Sequence, residues 1–438
     1  MKTYRHYITG SIIFGVSTGM ISLLARWITG NTILSSPESL VKYGLLGGIG
    51  YSLVGAFSIF MFGVFANKIR KRFPEIETIG DVLQKRLRKD GYLFMTIVIL
   101  FLGLDSLFMQ AIGAAVLFDL IFNIPYTISL LIFFLYCFAI AGLGGMKWIH
   151  RIEGICIFFI FSAIIFIPLY FFIQEGSFKV YDGIRLYHPY LLFAKNQEAF
   201  AFIATFMLVG FGQVFTDRST WQRLYMIEPK KVRLTFWSTA FVWSTVPIAL
   251  SAMLMIVIFE GPFGETYTLL FQLITKINPI FLSVLFFLFC FGALSTTING
   301  EVHATTIHFI KHIRLPFKKT MSDKQMRKES YIFSGILLFS ILVITHFVKF
   351  SLLDFLFFYG HLYAASIPVM LFIVLSKRKI SRLMPYSIVV GWLLSATLFG
   401  GLTSLQTIWL SFLISGAFSV FSMLFAEVEL ISESSTWK

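Results

Sequence analysis

Twelve long apolar runs divide this chain, at about 7–29, 43–66, 92–122, 125–147, 151–174, 196–216, 234–260, 278–310, 330–348, 351–376, 384–404 and 406–427. Crossing the hydrocarbon core of a bilayer takes about 20 apolar residues in a helix, and each run comes close to that length or exceeds it. In lipid every backbone N–H and C=O has to find its partner inside the protein, which an unbroken apolar run achieves as a helix. The short alternating segments of a membrane barrel are missing. The runs therefore predict an all-α polytopic membrane protein with about 12 transmembrane helices, numbered here as spans 1 to 12.

The composition excludes most other classes. Of 438 residues, 57% are hydrophobic and 13% charged, against about 25% charged in an ordinary soluble domain. That leaves no surface for a soluble enzyme, a nucleic-acid-binding module or a large domain on a single span. The net charge of +14 is read as topology. Placing the N-terminus in the cytoplasm puts 29 of the 36 Lys and Arg residues on that side. The positive-inside rule then predicts a multi-pass protein of the cell (inner) membrane with both termini cytoplasmic. The longest basic loops, 67–91 and 311–329, are suited to contact with anionic lipid heads. Cys137, Cys156 and Cys290 all lie in apolar runs, so neither a disulfide framework nor a thiolate metal site is indicated.

Polar residues at span depth are the informative ones. In span 3, Asp105, Ser106 and Gln110 occupy neighbouring turns, and an intramembrane carboxylate usually faces a bundle interior or an aqueous cavity. Gln213 near the end of span 6 and Tyr359 and Tyr363 in span 10 are further candidates for contact with a solute. In span 8 the stretch Phe291-Gly292-Ala293-Leu294-Ser295-Thr296-Thr297 interrupts an almost pure Phe/Leu/Val run. Its hydroxyls are hard donors suited to an alkali cation; they can equally bond back to the preceding helical turn. Further along, Glu301, His303, His308 and His312 are metal-compatible side chains on one helix, but no H-E-x-x-H or nucleophile-and-base motif accompanies them. An enzyme is not expected, and no cofactor is indicated.

Three fragments taken together resemble the sodium:solute symporter family: Thr78-Ile79-Gly80-Asp81-Val82-Leu83-Gln84-Lys85-Arg86 after span 2, Gly144-Gly145-Met146-Lys147-Trp148 between spans 4 and 5, and Gly210-Phe211-Gly212-Gln213 followed by Trp221-Gln222-Arg223 at the end of span 6. The likeness covers about residues 1–310. It implies a LeuT-like five-plus-five inverted-repeat core over 1–376, with two additional helices and a short cytoplasmic tail in 377–438. Successive groups of five helices do enter the membrane from opposite sides, as inverted repeats require. The resemblance also implies a sodium ion as coupling ion, held by the Gly292 carbonyl, the Ser295 and Thr296 hydroxyls, and carbonyls from a break in span 1. Phe14-Gly15-Val16-Ser17-Thr18-Gly19 is the matching stretch, with Gly15 and Ser17 as the ligands assigned there. His150, Trp221 and Arg223 are assigned to ion release and gating; His150 stands where the family commonly has an Asp. Trp221 and Arg223 are equally compatible with an interfacial anchor and a topology charge.

These readings predict cation-coupled symport, with sodium as the expected ion, of a small organic solute by alternating access. Asp105, Gln110, Gln213 and Tyr359 would touch the solute. The aromatic residues found in sugar-carrying members are replaced by Met207-Leu208-Val209, which disfavours a sugar. The alternative is a proton-coupled amino-acid or amine transporter of the same core, with His150 or Asp105 titrating. Partners are the solute, sodium or a proton, and the bilayer, with no nucleic acid and no obligate protein partner.

Overall fold

The computed structural model describes residues 3–193, 196–261, 269, 273–277, 279–347, 352–398 and 404–435. Ten of its helices are long and apolar enough to cross a membrane, and among the described residues there is no strand beyond one isolated bridge. The chain is an all-α, multi-pass membrane protein.

Span 1 departs most from the sequence reading. The run 7–29 folds as a short helix α1 (Tyr4–Thr9), an extended segment, and α2 (Val16–Trp27). Ile28 and Thr29 are extended, and α3 (Gly30–Arg72) begins after them, capped by the Thr29 hydroxyl in a reciprocal pair with Thr32. Within α3 the chain turns at Gly44, whose φ of 72° and ψ of −165° lie outside the helix region. A β-carbon there would stand 2.8 Å from the Leu191 carbonyl oxygen, so the turn needs glycine. Span 1 is therefore α2 plus the 30–43 half of α3, broken at Ile28–Thr29, and span 2 is residues 45–72. The expected break at Phe14–Gly19 is displaced. Gly15 only caps the start of α2, and Ser17 lies on its exposed first turn.

The remaining spans follow their apolar runs. A capping box between Thr78 and Asp81 starts the short α4 (Ile79–Arg86). Next come α5 (Lys89–Phe122), α6 (Tyr126–Cys137, continuing as a π-helical stretch to Gly144) and α7 (Met146–Glu175), completing spans 3 to 5. After the connecting α8 (Ser177–Tyr187), span 6 is again broken: α9 (Gln197–Thr216) and α10 (Arg218–Met226) are separated at the extended residue Asp217. The second half continues through α11 (Val232–Ile258), the short α12 (Leu273–Lys276), α13 (Ile280–Phe309), the short α14 (Leu315–Lys318), α15 (Asp323–Phe347) and α16 (Leu352–Leu375). Two more helices follow, α17 (Ser387–Leu398) and α18 (Leu405–Ser435).

The first helix of each five-helix half is thus the discontinuous one, as in inverted-repeat transporters, where unwound segments meet at the midplane. Packing agrees: α3 lies against α9 and α11, and α13 lies between α5 and α7. The end of the bundle that carries α4 and residues 311–322 is called the basic end below.

Candidate functional site

Where the two breaks meet, the bundle encloses a cavity of about 140 Å³. Trp27, Asp105, Gln213 and Tyr363 line its floor. Asn31, Thr32, Ser35 and Ser39 of α3 form a polar wall, opposed by Phe202, Phe206, Trp243 and Tyr359. The cavity extends along α3 to Glu38 and the exposed Lys42, away from the basic end. The polar wall explains why the sequence hides this half of span 1. Asn31, Thr32, Ser35, Glu38 and Ser39 face a cavity and so do not need to be apolar.

The breaks are built from specific bonds. The Gly30 N–H donates to Gln110 Oε1 at 2.7 Å, and the Trp27 carbonyl accepts from Trp243 Nε1 at 2.7 Å. These groups are among those orphaned at helix ends, which need such partners when buried. Asp105 is buried on the floor, its Oδ2 accepting from Gln213 Nε2 at 3.2 Å and from the Tyr363 hydroxyl at 3.1 Å. Among the described residues no group donates to its Oδ1. Asn31 Oδ1 in the wall likewise has no donor among the described residues. The cavity therefore offers acceptors that await donors.

Beneath this floor a layer of buried charge seals the basic side. Arg26, the penultimate residue of α2, pairs with Asp217 at the break of span 6 (2.6 Å) and with Glu301 of α13 (2.9 Å), and donates to the Ser106 hydroxyl (3.1 Å). Arg218 pairs with the other oxygen of Glu301 and donates to the Ile99 carbonyl. Two guanidinium groups thus balance two carboxylates. Asp217 also caps α10 through the Thr220 N–H at 2.7 Å, placing a negative charge at a helix N-terminus. Closer to the basic end, Arg223 pairs with Glu153 and bonds the Ser22 hydroxyl (2.9 Å), while His150 Nδ1 lies 3.2 Å from Glu153 Oε2. These bonds tie α2, α7, α10 and α13 together.

The sequence candidates separate against this geometry. Asp105, Gln213 and Tyr359 line the cavity together. Gln110 does not: its side chain is committed to the break of span 1. His150 and Arg223 share Glu153, and Trp221 and Arg223 are fully buried, so neither is an interfacial anchor. Trp221 Nε1 donates to the Phe215 carbonyl at 2.9 Å.

The proposed sodium ligands are not brought together. Gly292 packs on Cys156 of α7, its Cβ direction meeting the Cys156 Cβ at 3.2 Å, and the Thr296 hydroxyl bonds back to the Gly292 carbonyl at 2.8 Å. Ser295 bonds back to the same carbonyl at 3.3 Å. Gly15 and Ser17 lie more than ten residues before the break, roughly 16 Å away along a helix. The face of α13 that meets the break carries Thr297, whose hydroxyl donates to the carbonyls of Ile28 (3.3 Å) and Arg26 (3.5 Å). The difference is one of register on each helix. Among the described residues no cluster of His, Cys, Asp and Glu could hold a metal. The sequence reading missed Arg26, Glu153, Asp217 and Arg218, although Arg26 and Glu153 are charges inside apolar runs, the signal that ought to single them out.

No family model matches the chain. It is 22% identical over 284 residues, 60% of its length, to the probable urea active transporter 3 of Schizosaccharomyces pombe, covering 42% of that protein. It is 26% identical over 269 residues (54% of this chain, 37% of the other) to the probable urea active transporter 2 of the same organism. With the urea-proton symporter DUR3 of Oryza sativa subsp. japonica it shares 23% identity over 282 residues (55% and 37%). The chain thus spans well under half the length of these curated relatives. All three are transporters, which weighs against the enzyme reading.

Among solved structures, a Na+-coupled sialic acid symporter in a substrate-bound, outward-open state matches 96% of this chain and 92% of its own, with a TM-score of 0.81 at 15% identity. Mhp1, a nucleobase-cation-symport-1 family transporter in a closed conformation with bromovinylhydantoin bound, matches 95% and 93% with a TM-score of 0.57 at 10% identity. The two broken spans, their place at the head of each five-helix half and these superpositions establish the LeuT-like fold.

Proposed function

We propose that this protein is a cation-coupled symporter that carries a small, donor-rich polar solute by alternating access, with urea as the first candidate. One observation carries the solute class: among the described residues Asn31 Oδ1 in the cavity wall is buried without a donor, and on the floor the Asp105 carboxylate receives donors at Oδ2 alone. A buried acceptor left unpaired costs about 1–3 kcal/mol, and a solute with several N–H groups would satisfy both. The names of the relatives support this reading, since three are urea transporters. The fragments resembling the sodium:solute symporter family support the symport class as well.

The closed layer beneath the cavity makes this an outward-facing arrangement if the basic loops are cytoplasmic, which also places both termini inside. Transport to the other side requires α2 and α10 to separate from α7 and α13, breaking the pairs of Arg26 and Arg218 with Glu301 and of Arg223 with Glu153. The cation is sodium or a proton: the relatives and structural neighbours include a urea-proton symporter and a Na+-coupled symporter. Sodium would be held at the break of span 1, near the Ile28 carbonyl and the Thr297 hydroxyl.

Uptake of radiolabelled urea into proteoliposomes under imposed sodium and proton gradients tests the proposal. Wild-type protein should accumulate urea under one of the two, and Asp105→Asn should raise KM on the order of tenfold, the worth of one charged hydrogen bond of about 1.5 kcal/mol or more. Urea movement indifferent to both gradients and to Asp105→Asn would overturn it.

A further inference from the structure

A seam of polar side chains leaves the charge layer along one face of α13 and takes no part in the cavity. It starts at Glu301, whose Oε1 accepts from the Thr305 hydroxyl at 3.0 Å. It continues through His308, steps of four and three residues on one face of α13, and on to His312 in the π-helical turn Ile310–Arg314 that follows. Beside it on α5 stand Thr96 and Tyr92. His312 Nδ1 is 2.9 Å from the Tyr92 hydroxyl and its Nε2 is 2.9 Å from the Thr78 hydroxyl, which donates to Asp81 Oδ2 at 2.9 Å. Lys311 approaches the same carboxylate oxygen at 3.3 Å. From Glu301 to His312 the seam covers roughly 16 Å, and it ends at the partly exposed Asp81 at the basic end.

His308 is the unexplained member. It is 1% exposed, and among the described residues neither ring nitrogen has a hydrogen-bond partner. Its ring centroid lies 4.9 Å from that of His312. The charged and titratable groups acting on it are His312, Arg218 and Lys311, and the Thr96 backbone lies alongside without an aligned bond. The Thr96 hydroxyl stands beside Tyr92 on the same face of α5. A leucine would fill this place without leaving two polar atoms unpaired. What an imidazole adds is the ability to take a proton on one nitrogen and release it from the other, and single waters can bridge gaps of this size between polar groups.

We propose that this seam is a proton path joining the charge layer at Glu301 to Asp81 at the basic end, and that a proton is the coupling ion. The inference rests on the symport reading above. The Glu301 carboxylate accepts a proton from a hydronium ion on the cavity side, which is left as water, and gives up its pairs with Arg26 and Arg218, which loosens the layer. The proton passes by the Thr305 hydroxyl and water to His308, which releases one from its other nitrogen to His312. From there it leaves by Thr78 and Asp81. Glu301 returns to the carboxylate and its ion pairs re-form. One proton enters, one leaves, and only O–H and N–H bonds change.

Proteoliposomes with an entrapped pH dye and radiolabelled urea test this in sodium-free buffer. Wild-type protein should accumulate urea under an inward proton gradient, with matching acidification of the lumen. His308→Gln and His308→Leu, one polar and one apolar in case either fails to fold, should cut accumulation on the order of a hundredfold, the usual worth of a positioned proton-transfer group. Urea binding, read as a thermal shift, should be retained. Accumulation by both variants at the wild-type level, or accumulation that follows a sodium gradient and ignores pH, would overturn the proton path and leave the symport reading standing. Absence of both urea uptake and urea binding in the wild type would overturn that reading, and the inference with it.

Discussion

At the scale of single residues, Glu153 and Arg223 show why the charged layer has to act as a set. Both are fully buried, and each would be prohibitively placed without the other. Glu153→Gln leaves the Arg223 guanidinium with only neutral acceptors at Ser22 and Ser219. We expect a loss of about 3–5 kcal/mol, the cost of orphaning one member of a buried pair, seen as a lowered midpoint of thermal unfolding in detergent. Adding Arg223→Met should restore much of it, because removing both charges ends the penalty. A double variant as unstable as the single one would show that the pair does not act as a unit. Arg26 differs from Arg223 in bridging two carboxylates on separate elements, so it couples the breaks of spans 1 and 6 directly.

Among elements, α5 passes close to both α10 and α13 at the charge layer. A β-carbon at Gly103 would run into the Arg218 guanidinium and lie 2.5 Å from Glu301 Oε1. Gly103→Ala should therefore force α5 away from α10 and α13 and destabilise by about 1–3 kcal/mol, as overpacking does. Gly154 of α7 is the matched control, since among the described residues nothing lies within 4 Å of its Cβ direction. Gly154→Ala should be neutral or raise stability by up to about 1 kcal/mol through helix propensity alone. Thermal unfolding of the two variants side by side checks both statements. The same element scale explains the misplaced first span. A helix half that lines a cavity reads as a loop in hydropathy, whereas the apolar 7–29 contains an extended turn.

Over the whole molecule, α4 fastens the end of span 2 to the end of span 8. Burial alone would raise the Asp81 carboxyl, but the Lys311 ammonium first, then His312, the Thr78 hydroxyl and the Glu77 N–H hold it below the ordinary carboxylate range. A carboxyl depressed in the folded state contributes stability above its unfolded pKa and loses it as pH falls through the folded one. Protection of residues 74–88 against hydrogen exchange, corrected for intrinsic rates, should thus be full at neutral pH and fall on acidification below about pH 4. Asp81→Asn should show the lower protection at every pH; protection unchanged by that substitution would remove α4 as a clasp. That the chain crosses a membrane repeatedly, and as helices, was legible because lipid permits few backbone solutions. Asp105 and Gln213 were legible as polar groups too costly to bury without purpose. The position of the span 1 break, the face of α13 turned toward it, the commitment of Gln110 and the pairing of Arg26 with Asp217 and Glu301 were not. Each depends on which helix stands opposite, across 80 to 275 residues of chain, and periodicity along one helix carries no information about its neighbour. The sequence by itself determined that this chain crosses a membrane many times and carries polar groups inside it; only the tertiary structure decided which of those groups meet, because their desolvation is offset solely by partners brought from distant spans.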